Sequence, residues 1–489
     1  MVKGVKFTPF ASVFNYPPPT MSQEKSYTLR TTKDFRDSLT SVDEAGNRIF
    51  FYPKKPKGRY FNWRKWLSYM LLFLLFAGPF MRLNGHPFML FNILERKFIL
   101  FGIAFWPQDF KLLALGFITM VVFIVLFTAV FGRLFCGWVC PQTIFMEMLF
   151  RRIEYWIDGD WTAQKKLAHA PWTADKIRKR SLKFVIFTAI SFLIANTFLA
   201  YIIGSDALIN IITSPVSEHI GGLISISIFT AIFFFVYWSF REQACTIVCP
   251  YGRLQGVLLD KNSINVSYDF VRGEPRGKHS KNRDENLGDC IDCNQCVDVC
   301  PTGIDIRNGT QLECINCTAC IDACDEVMDK VQKPRGLIRY ASYNGILTKM
   351  RTVFTTRVKA YSVFLVVLLS VFVYFMSTRT ATQTSMLRAR GTLYTELNAN
   401  QLRNVFMVKT INKSFDEKQV SFRLKSPKGE ITQIGTDFII PPQGYREGGL
   451  FVTLNKADLT GIKTNIVVEV VQGNEVLETI KTSFYGPAQ

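Results

Sequence analysis

Between Cys290 and Cys324 the chain reads CIDCNQCVDVCPTGIDIRNGTQLECINCTACIDAC, two successive C-x2-C-x2-C-x3-C runs. No other stretch restricts the fold so severely, because this spacing holds a pair of cubane 4Fe-4S clusters in the bacterial ferredoxin pattern. Each triplet, Cys290/Cys293/Cys296 and Cys314/Cys317/Cys320, lies on one tight loop able to wrap three corners of a cube, while the fourth thiolate comes from the other run. Cys324 is therefore expected to complete the first cluster and Cys300 the second. Pro301 follows Cys300 as the pattern prefers; Asp325 takes that place after Cys324. Zinc sites close on four ligands in paired C-x2-C units, and eight evenly spaced cysteines overshoot that.

With 48% hydrophobic residues and 43 Phe, yet 20% charged residues among 489, the apolar residues must be concentrated in segments. The formal net charge of +19 raises nucleic acid as a partner. Many Lys and Arg instead flank apolar spans, as cytoplasmic loops beside an anionic leaflet do, and no nucleic-acid partner is expected. All 12 cysteines fall between Cys136 and Cys324, which argues for metal ligation in a reducing compartment rather than disulfides. Residues 1–58 read as a polar, Pro-rich, basic cytoplasmic tail without a cleavable signal, solvated by default rather than docked on the cluster domain. Met21 is a second candidate start beside Met1.

A membrane domain is expected over residues 59–258, with apolar spans at 66–81, 112–132, 184–205 and 220–240, and a fifth span follows at 358–379. The stronger spans have the length that crosses hydrocarbon of ~30 Å. Residues 83–110, broken by Pro87, Glu95-Arg96-Lys97 and Pro107, are expected on the far face, partly in the interface. Residues 133–183 carry Arg133, Arg151, Arg152, Lys165, Lys166 and the run Lys176, Arg178, Lys179, Arg180, whereas 206–219 carry no Lys or Arg. That asymmetry places the basic segments, and a ferredoxin-like domain inserted at 259–357, on the cytoplasmic side of a bacterial inner membrane. Five crossings then put residues 380–489 in the periplasm.

This last part changes character. Val420/Phe422/Leu424, Leu450/Val452/Leu454 and the runs around Gly473-Asn474 alternate with the period of half-buried strands joined by tight turns. An immunoglobulin-like β-sandwich of about seven short strands is expected, without a disulfide and without catalytic residues.

A second cysteine system repeats within the membrane domain. Cys136-Gly-Trp-Val-Cys140-Pro141 follows the second span and Cys245-Thr-Ile-Val-Cys249-Pro250 the fourth, with Arg133 and Arg241 just upstream. C-x3-C spacing is expected to stack both sulfurs on one face of a helical turn, with the proline opening the next helix. Four such thiolates at the cytoplasmic surface suit Cu(I), zinc or a further iron–sulfur centre, against the alternative of inert buried cysteines. His86, His169, His219 and His279 are scattered and read as surface residues. No nicotinamide, nucleotide or Ser/His/Asp motif is convincing, so the chemistry on offer is one-electron transfer.

Taken together, FYPKKPKGRY, CGWVCPQTIFMEMLFRRIEYWIDGD, REQACTIVCPYGRLQG, the ferredoxin runs and the closing FYGP resemble the FixG/CcoG proteins, accessory factors in assembling cbb3-type cytochrome c oxidase. The resemblance covers nearly the whole chain beyond residue 34. It implies a membrane-bound cupric reductase with two 4Fe-4S clusters, converting Cu(II) to Cu(I) and feeding copper to the oxidase. Its partners would be copper ions, oxidase subunits or copper chaperones, an unidentified electron donor and the lipid bilayer. In that family Cys136, Cys140, Cys245 and Cys249 correspond to candidate copper-handling or redox residues. A quinol-oxidising respiratory component and a non-catalytic assembly scaffold are the alternatives.

Overall fold

The computed structural model describes residues 49–93, 97–278, 286–350, 353–391, 393–435 and 437–487. Most of the expected tail, both candidate starts and His279 lie outside them. The chain divides into two compact units, Met1–Asn62 with Asp260–Thr352, and Trp63–Leu259 with Val353–Gln489.

In the larger unit, four helices are long and apolar enough to cross a membrane: Pro107–Phe131, Ala174–Ile203, Ile220–Phe240 and Thr356–Ser377. Phe117, Phe123, Leu193, Ile228, Val366 and Val373 on them are each more than half exposed. Water would penalise that surface and hydrocarbon would not. The last of the four packs along the first, where Gly116 lets the Phe372 ring approach, and the middle two pack on each other. The helix Ala174–Ile203 begins well before residue 184, because Thr173 caps it by accepting from the Lys176 amide and Asp175 pairs with Arg178 and Lys179 across the first turns.

The expected first span is a helix over Arg59–Ala77, ended by the turn Gly78–Phe80, and it is not among the four. Its opening turns carry Arg59, Arg64 and Lys65. Arg64 is buried, its Nε donating to the Gly137 carbonyl at 2.6 Å, and Leu72, Leu75 and Phe76 pack against a core containing Phe187, Ile194 and Tyr237.

The described residues between 82 and 105 form small sheets. Arg82–Leu83 pairs with His86–Pro87, and Met89–Asn92, Lys97–Leu100 and Ile103–Phe105 form a three-stranded antiparallel sheet whose buried Leu90, Ile99 and Ala104 meet Phe415. His86 is half-buried, its ring stacking on Phe415 with centroids 3.9 Å apart. His169 is exposed and His219 half-buried, both at helix ends.

Among its described residues the C-terminal part has nine strands, where about seven were expected. One sheet runs Gly429–Ile434, Tyr445–Asn455, Gln401–Asn412, Thr382–Arg388, with Thr395–Asn398 also on Gln401–Asn412; the other runs Phe438–Ile440, Lys418–Ser426, Lys463–Gln472, Glu475–Tyr485. The strands missing from the sequence reading are short edge pieces, or, in Thr382–Arg388, bury Thr382 and Thr384 where an apolar residue would have marked the period. Leu402, Phe406, Leu450, Val452, Ile466, Val468 and Phe484 fill the core. Gly473, at φ 58°, closes the tight turn before Asn474.

The sandwich is clamped to the small sheet and the first membrane helix through Asp109, which is buried. Its carboxylate accepts from Lys413 Nζ at 2.5 Å and from Arg379 Nη2 at 2.8 Å, and Arg379 also donates to the Ala104 carbonyl.

In the smaller unit, Asn265–Tyr268 pairs antiparallel with Ile338–Ala341 over a core of Val266, Ile304, Ile306, Ile321, Met328 and Leu337. Residues 49–58, the described end of the expected tail, are docked here rather than solvated. The Lys54 amide donates to the Asp298 carbonyl, Lys54 Nζ reaches Gln295, and Asp322 accepts the Tyr60 and Phe61 amides at 3.1 and 2.7 Å. Asp322 thereby caps the helix Arg59–Ala77 from across the unit.

Replacing Asp109 by Ala strands two buried cations, and the larger unit should lose about 3–5 kcal/mol. Thermal unfolding and protease sensitivity near residue 380, measured on the full chain in detergent, check this; Asp109→Asn should cost less.

Candidate functional site

The two cysteine runs fold into matched loops because the same backbone turns recur at the same offsets. Asp292 and Asn294 in the first run, and Asn316 and Thr318 in the second, all have φ between 51° and 66°. Four non-glycine residues in this sparsely populated region mark a shape the surroundings enforce. Alternating left-handed residues turn successive amides toward a concavity, an arrangement suited to anionic centres.

Cys290, Cys293, Cys296 and Cys324 line one concavity; Cys300, Cys314, Cys317 and Cys320 line the other, with Cys296 at its edge. Each encloses about 350 Å³, counting its open mouth. The structure thus brings Cys324 to the first triplet and Cys300 to the second. The Cys300 sulfur lies 3.4 Å from the Thr302 hydroxyl, and the Thr302, Gly303 and Ile304 amides favour its thiolate against burial.

Burial pushes the Cys296 and Cys320 thiols well up and Cys324 up to about 12, since an uncompensated buried thiolate is costly. A bound metal reverses that preference. Among the described residues no three His, Cys, Asp or Glu are placed to hold a single ion. A cubane carries its thiolates on separate irons, so its ligands stand farther apart, and the two quartets fit that donor set.

Arg307 ties the first loop down. Its guanidinium donates to Asp292 at 2.6 Å, Asn294 at 2.6 Å and Asp305 at 2.7 and 2.8 Å. Asp325, the departure from the expected proline, lies inside the helix Ala319–Lys330 and accepts the Gly336 amide at 2.9 Å. A proline there would break that helix.

The second cysteine system is also brought together, though not as expected. Cys136 sits in the helix Leu134–Trp138 and Cys245 in the wider turn Ala244–Val248, but Cys140 and Cys249 are extended, at ψ 123° and 110°. Pro141 and Pro250 force that break on the residue before them, so each pair straddles a helix junction instead of one helical face. Both prolines open the following helix.

The repeat extends to the hydrogen bonds. The Cys136 and Cys245 amides reach the Arg133 and Glu242 carbonyls, each at 3.1 Å, and the Cys140 and Cys249 amides reach Phe135 and Ala244, each at 2.9 Å. Arg133 is therefore matched by Glu242. Arg241 is matched by Gly132, and both occupy a corner at positive φ, 44° and 56°. Burial together with the neighbouring Cys140, Cys136 and Cys249 pushes Cys245 up to about 12. Burial raises Cys136 too, against the opposing pull of Arg133.

Missed by sequence reasoning is a buried ionic network beside this system. Arg151 pairs with Glu147 and Glu242; Glu154 pairs with Arg241 and Lys183; Lys183 also reaches Asp158 at 3.5 Å. All seven side chains are nine-tenths or more buried. Burial would raise Glu154, but Arg241 and Lys183 more than offset it and hold the carboxyl well below its ordinary range. The available signal was Glu147, Arg151, Glu154 and Asp158 at helical spacing in a segment otherwise rich in Phe, Met and Ile.

Comparison with known proteins bears on both cysteine systems. Residues 240–343 match the family described as 4Fe-4S dicluster domain, residues 113–164 the 4Fe-4S binding domain, and residues 372–487 the IG-like fold at the C-terminus of FixG. Nitrogen fixation protein FixG of Rhizobium meliloti is 37% identical over 317 residues, 63% of this chain and 59% of its own length. Protein RdxA of Cereibacter sphaeroides is 35% identical over 391 residues, 77% of this chain and 82% of its own. The chain belongs to the FixG family. Protein RdxB of the same organism, 32% identical over 415 residues, covers 79% of this FixG-family chain and 85% of itself. The FixG-type chain is an iron–sulfur oxidoreductase of the electron-transfer class, with apolar helices for a lipid bilayer and an immunoglobulin-like C-terminal domain.

Burial raises Asp305, but Arg307 more than offsets it, so the carboxyl is held below its ordinary value. The stability this contributes is present above about pH 4 and lost as pH falls through the lowered value. Arg307→Met should cost the smaller unit about 2 kcal/mol at neutral pH and flatten its acid sensitivity, read by hydrogen exchange across residues 290–310 at several pH values.

Proposed function

We propose that this protein is a membrane-bound cupric reductase, acting in copper delivery to a cbb3-type oxidase during its assembly. The observation that carries it is the presence of two thiol systems in one chain: eight cysteines around two cubane-sized concavities, and four more gathered at the helix junctions of a membrane domain. In this proposal Cys290, Cys293, Cys296 and Cys324 hold one 4Fe-4S cluster, and Cys300, Cys314, Cys317 and Cys320 the other. The clusters supply single electrons at low potential.

The chain's own residues do the rest. The loops fix the thiol geometry, the Thr302, Gly303 and Ile304 amides support the Cys300 sulfur, and Arg307 holds the first loop against its neighbours. Cys136, Cys140, Cys245 and Cys249 meet the substrate metal. Cu(II) takes one electron and becomes Cu(I), whose softness favours thiolate ligands.

Orientation belongs to the same proposal. Counting Arg59–Ala77 as a fifth crossing of a bacterial inner membrane puts the basic loops and the clusters in the cytoplasm and the sandwich in the periplasm.

Two measurements test this. Cys300→Ser and Cys324→Ser should each lower iron and sulfide content by one cluster's worth and alter different components of the reduced EPR spectrum. Cys136→Ser combined with Cys245→Ser should abolish copper reduction and copper binding while iron content stays unchanged; unimpaired reduction would refute the division of labour.

A further inference from the structure

Three buried hydrogen-bond donors on the segments that carry the membrane-domain thiols lack an acceptor. Arg133, 3% exposed, leaves Nη1 unpartnered, and Gln255, fully buried, leaves Nε2 unpartnered. The third is Nε2 of Gln142, whose Oε1 accepts from the Tyr237 hydroxyl at 2.6 Å. Orphaned buried donors are costly enough that native proteins rarely keep them without a partner.

Two of them, Arg133 and Gln255, stand beside the Cys136 sulfur. The Cys136 Sγ donates to Gln255 Oε1 at 3.0 Å, and Arg133 Nε donates to the same oxygen at 3.1 Å. Gly252 makes room for this, since a Cβ there would stand 3.0 Å from Arg133 Nη2 and 2.8 Å from the Cys245 carbonyl.

The internal repeat supplies this cation only once. The residue matching Arg133 is Glu242, which turns to Arg151, so the second copy of the repeat supplies no guanidinium at that position. The site is thus built around a negative charge that the thiols as drawn do not carry.

We propose that Arg133, Gln255 and Gln142 are the hydrogen-bond donors to an anionic metal–thiolate centre at Cys136, Cys140, Cys245 and Cys249, and that Gln255 reverses its amide when Cys136 is metallated. This rests on the preceding assignment of those cysteines to metal. As a thiol, Cys136 donates and needs the Gln255 oxygen. As a metal-bound thiolate it has lost its proton to solvent and accepts, so Nε2 must face it. Arg133 then turns from the amide oxygen to sulfur, and every orphan gains an acceptor. Arg133 and Gln255 are positioning residues in this scheme; the sulfurs alone bind metal. A Cu(I) thiolate and an iron–sulfur centre share this anionic chemistry.

The test uses the full chain in detergent with two probes: Cu(I), titrated against a chromophoric chelator between pH 6 and 8, and iron with sulfide under anaerobic reconstitution followed by potentiometry. Arg133→Gln and Gln255→Leu should each weaken Cu(I) binding tenfold or more with a steeper pH dependence, or, if an iron–sulfur centre forms, lower its midpoint potential. Arg133→Lys should restore part of the effect. If Arg133→Gln does not fold, Gln255→Leu carries the test by the same readouts. Unchanged affinity and potential in Arg133→Gln and Gln255→Leu would overturn this proposal while leaving the copper site standing. Unchanged metal binding in the Cys136→Ser, Cys245→Ser double variant would overturn the site assignment, and this proposal with it.

Discussion

A thiolate buried in protein is expensive unless something opposes its charge, and this chain gathers twelve cysteines in two such settings. Burial, reinforced by neighbouring anionic groups, favours the neutral form of Cys296, Cys320, Cys324 and Cys245, so each quartet must be matched by donors or by metal. The smaller unit answers with backbone, turning amides inward through left-handed residues and supporting Cys300 from Thr302, Gly303 and Ile304. The larger unit answers with side chains, Arg133 and Gln255, because its cysteines sit at helix junctions where most amides are already committed to helical bonds.

Elsewhere, buried carboxylates tie together segments distant in sequence. Asp109 between Arg379 and Lys413 fixes the sandwich to the small sheet, and Asp322 holds the Tyr60 and Phe61 amides within the smaller unit. The network around Arg151 and Glu154 does the same beneath the second cysteine repeat. Such networks confer geometry more than stability, since desolvating both partners consumes much of their attraction.

The repeat of the two membrane cysteine pairs is close in backbone and broken in chemistry. Hydrogen bonds recur at equivalent positions, but one copy places Arg133 toward sulfur and the other sends Glu242 toward Arg151. Two near-copies thus enclose one site with a directed field.

Local pattern sufficed wherever ligands or periodicity lay close in sequence. The eight cysteines, the four strongest apolar helices, the Gly473-Asn474 turn and the alternation in Leu450–Leu454 were legible because cluster geometry, bilayer thickness and the strand period all impose short, fixed spacings. What required the tertiary structure was every choice between a residue's local preference and a distant partner. The strands within 82–105 are stabilised by Phe415 of the sandwich, and residues 49–58 dock rather than dangle because Asp298 and Gln295 await Lys54; the C-x3-C pairs, by contrast, leave one helical face through the local break that Pro141 and Pro250 force on the residue before them. Arg133 and Arg241 look alike in the sequence. Only the fold, by pairing one with Gln255 and the other with Glu154, decides which of them faces sulfur.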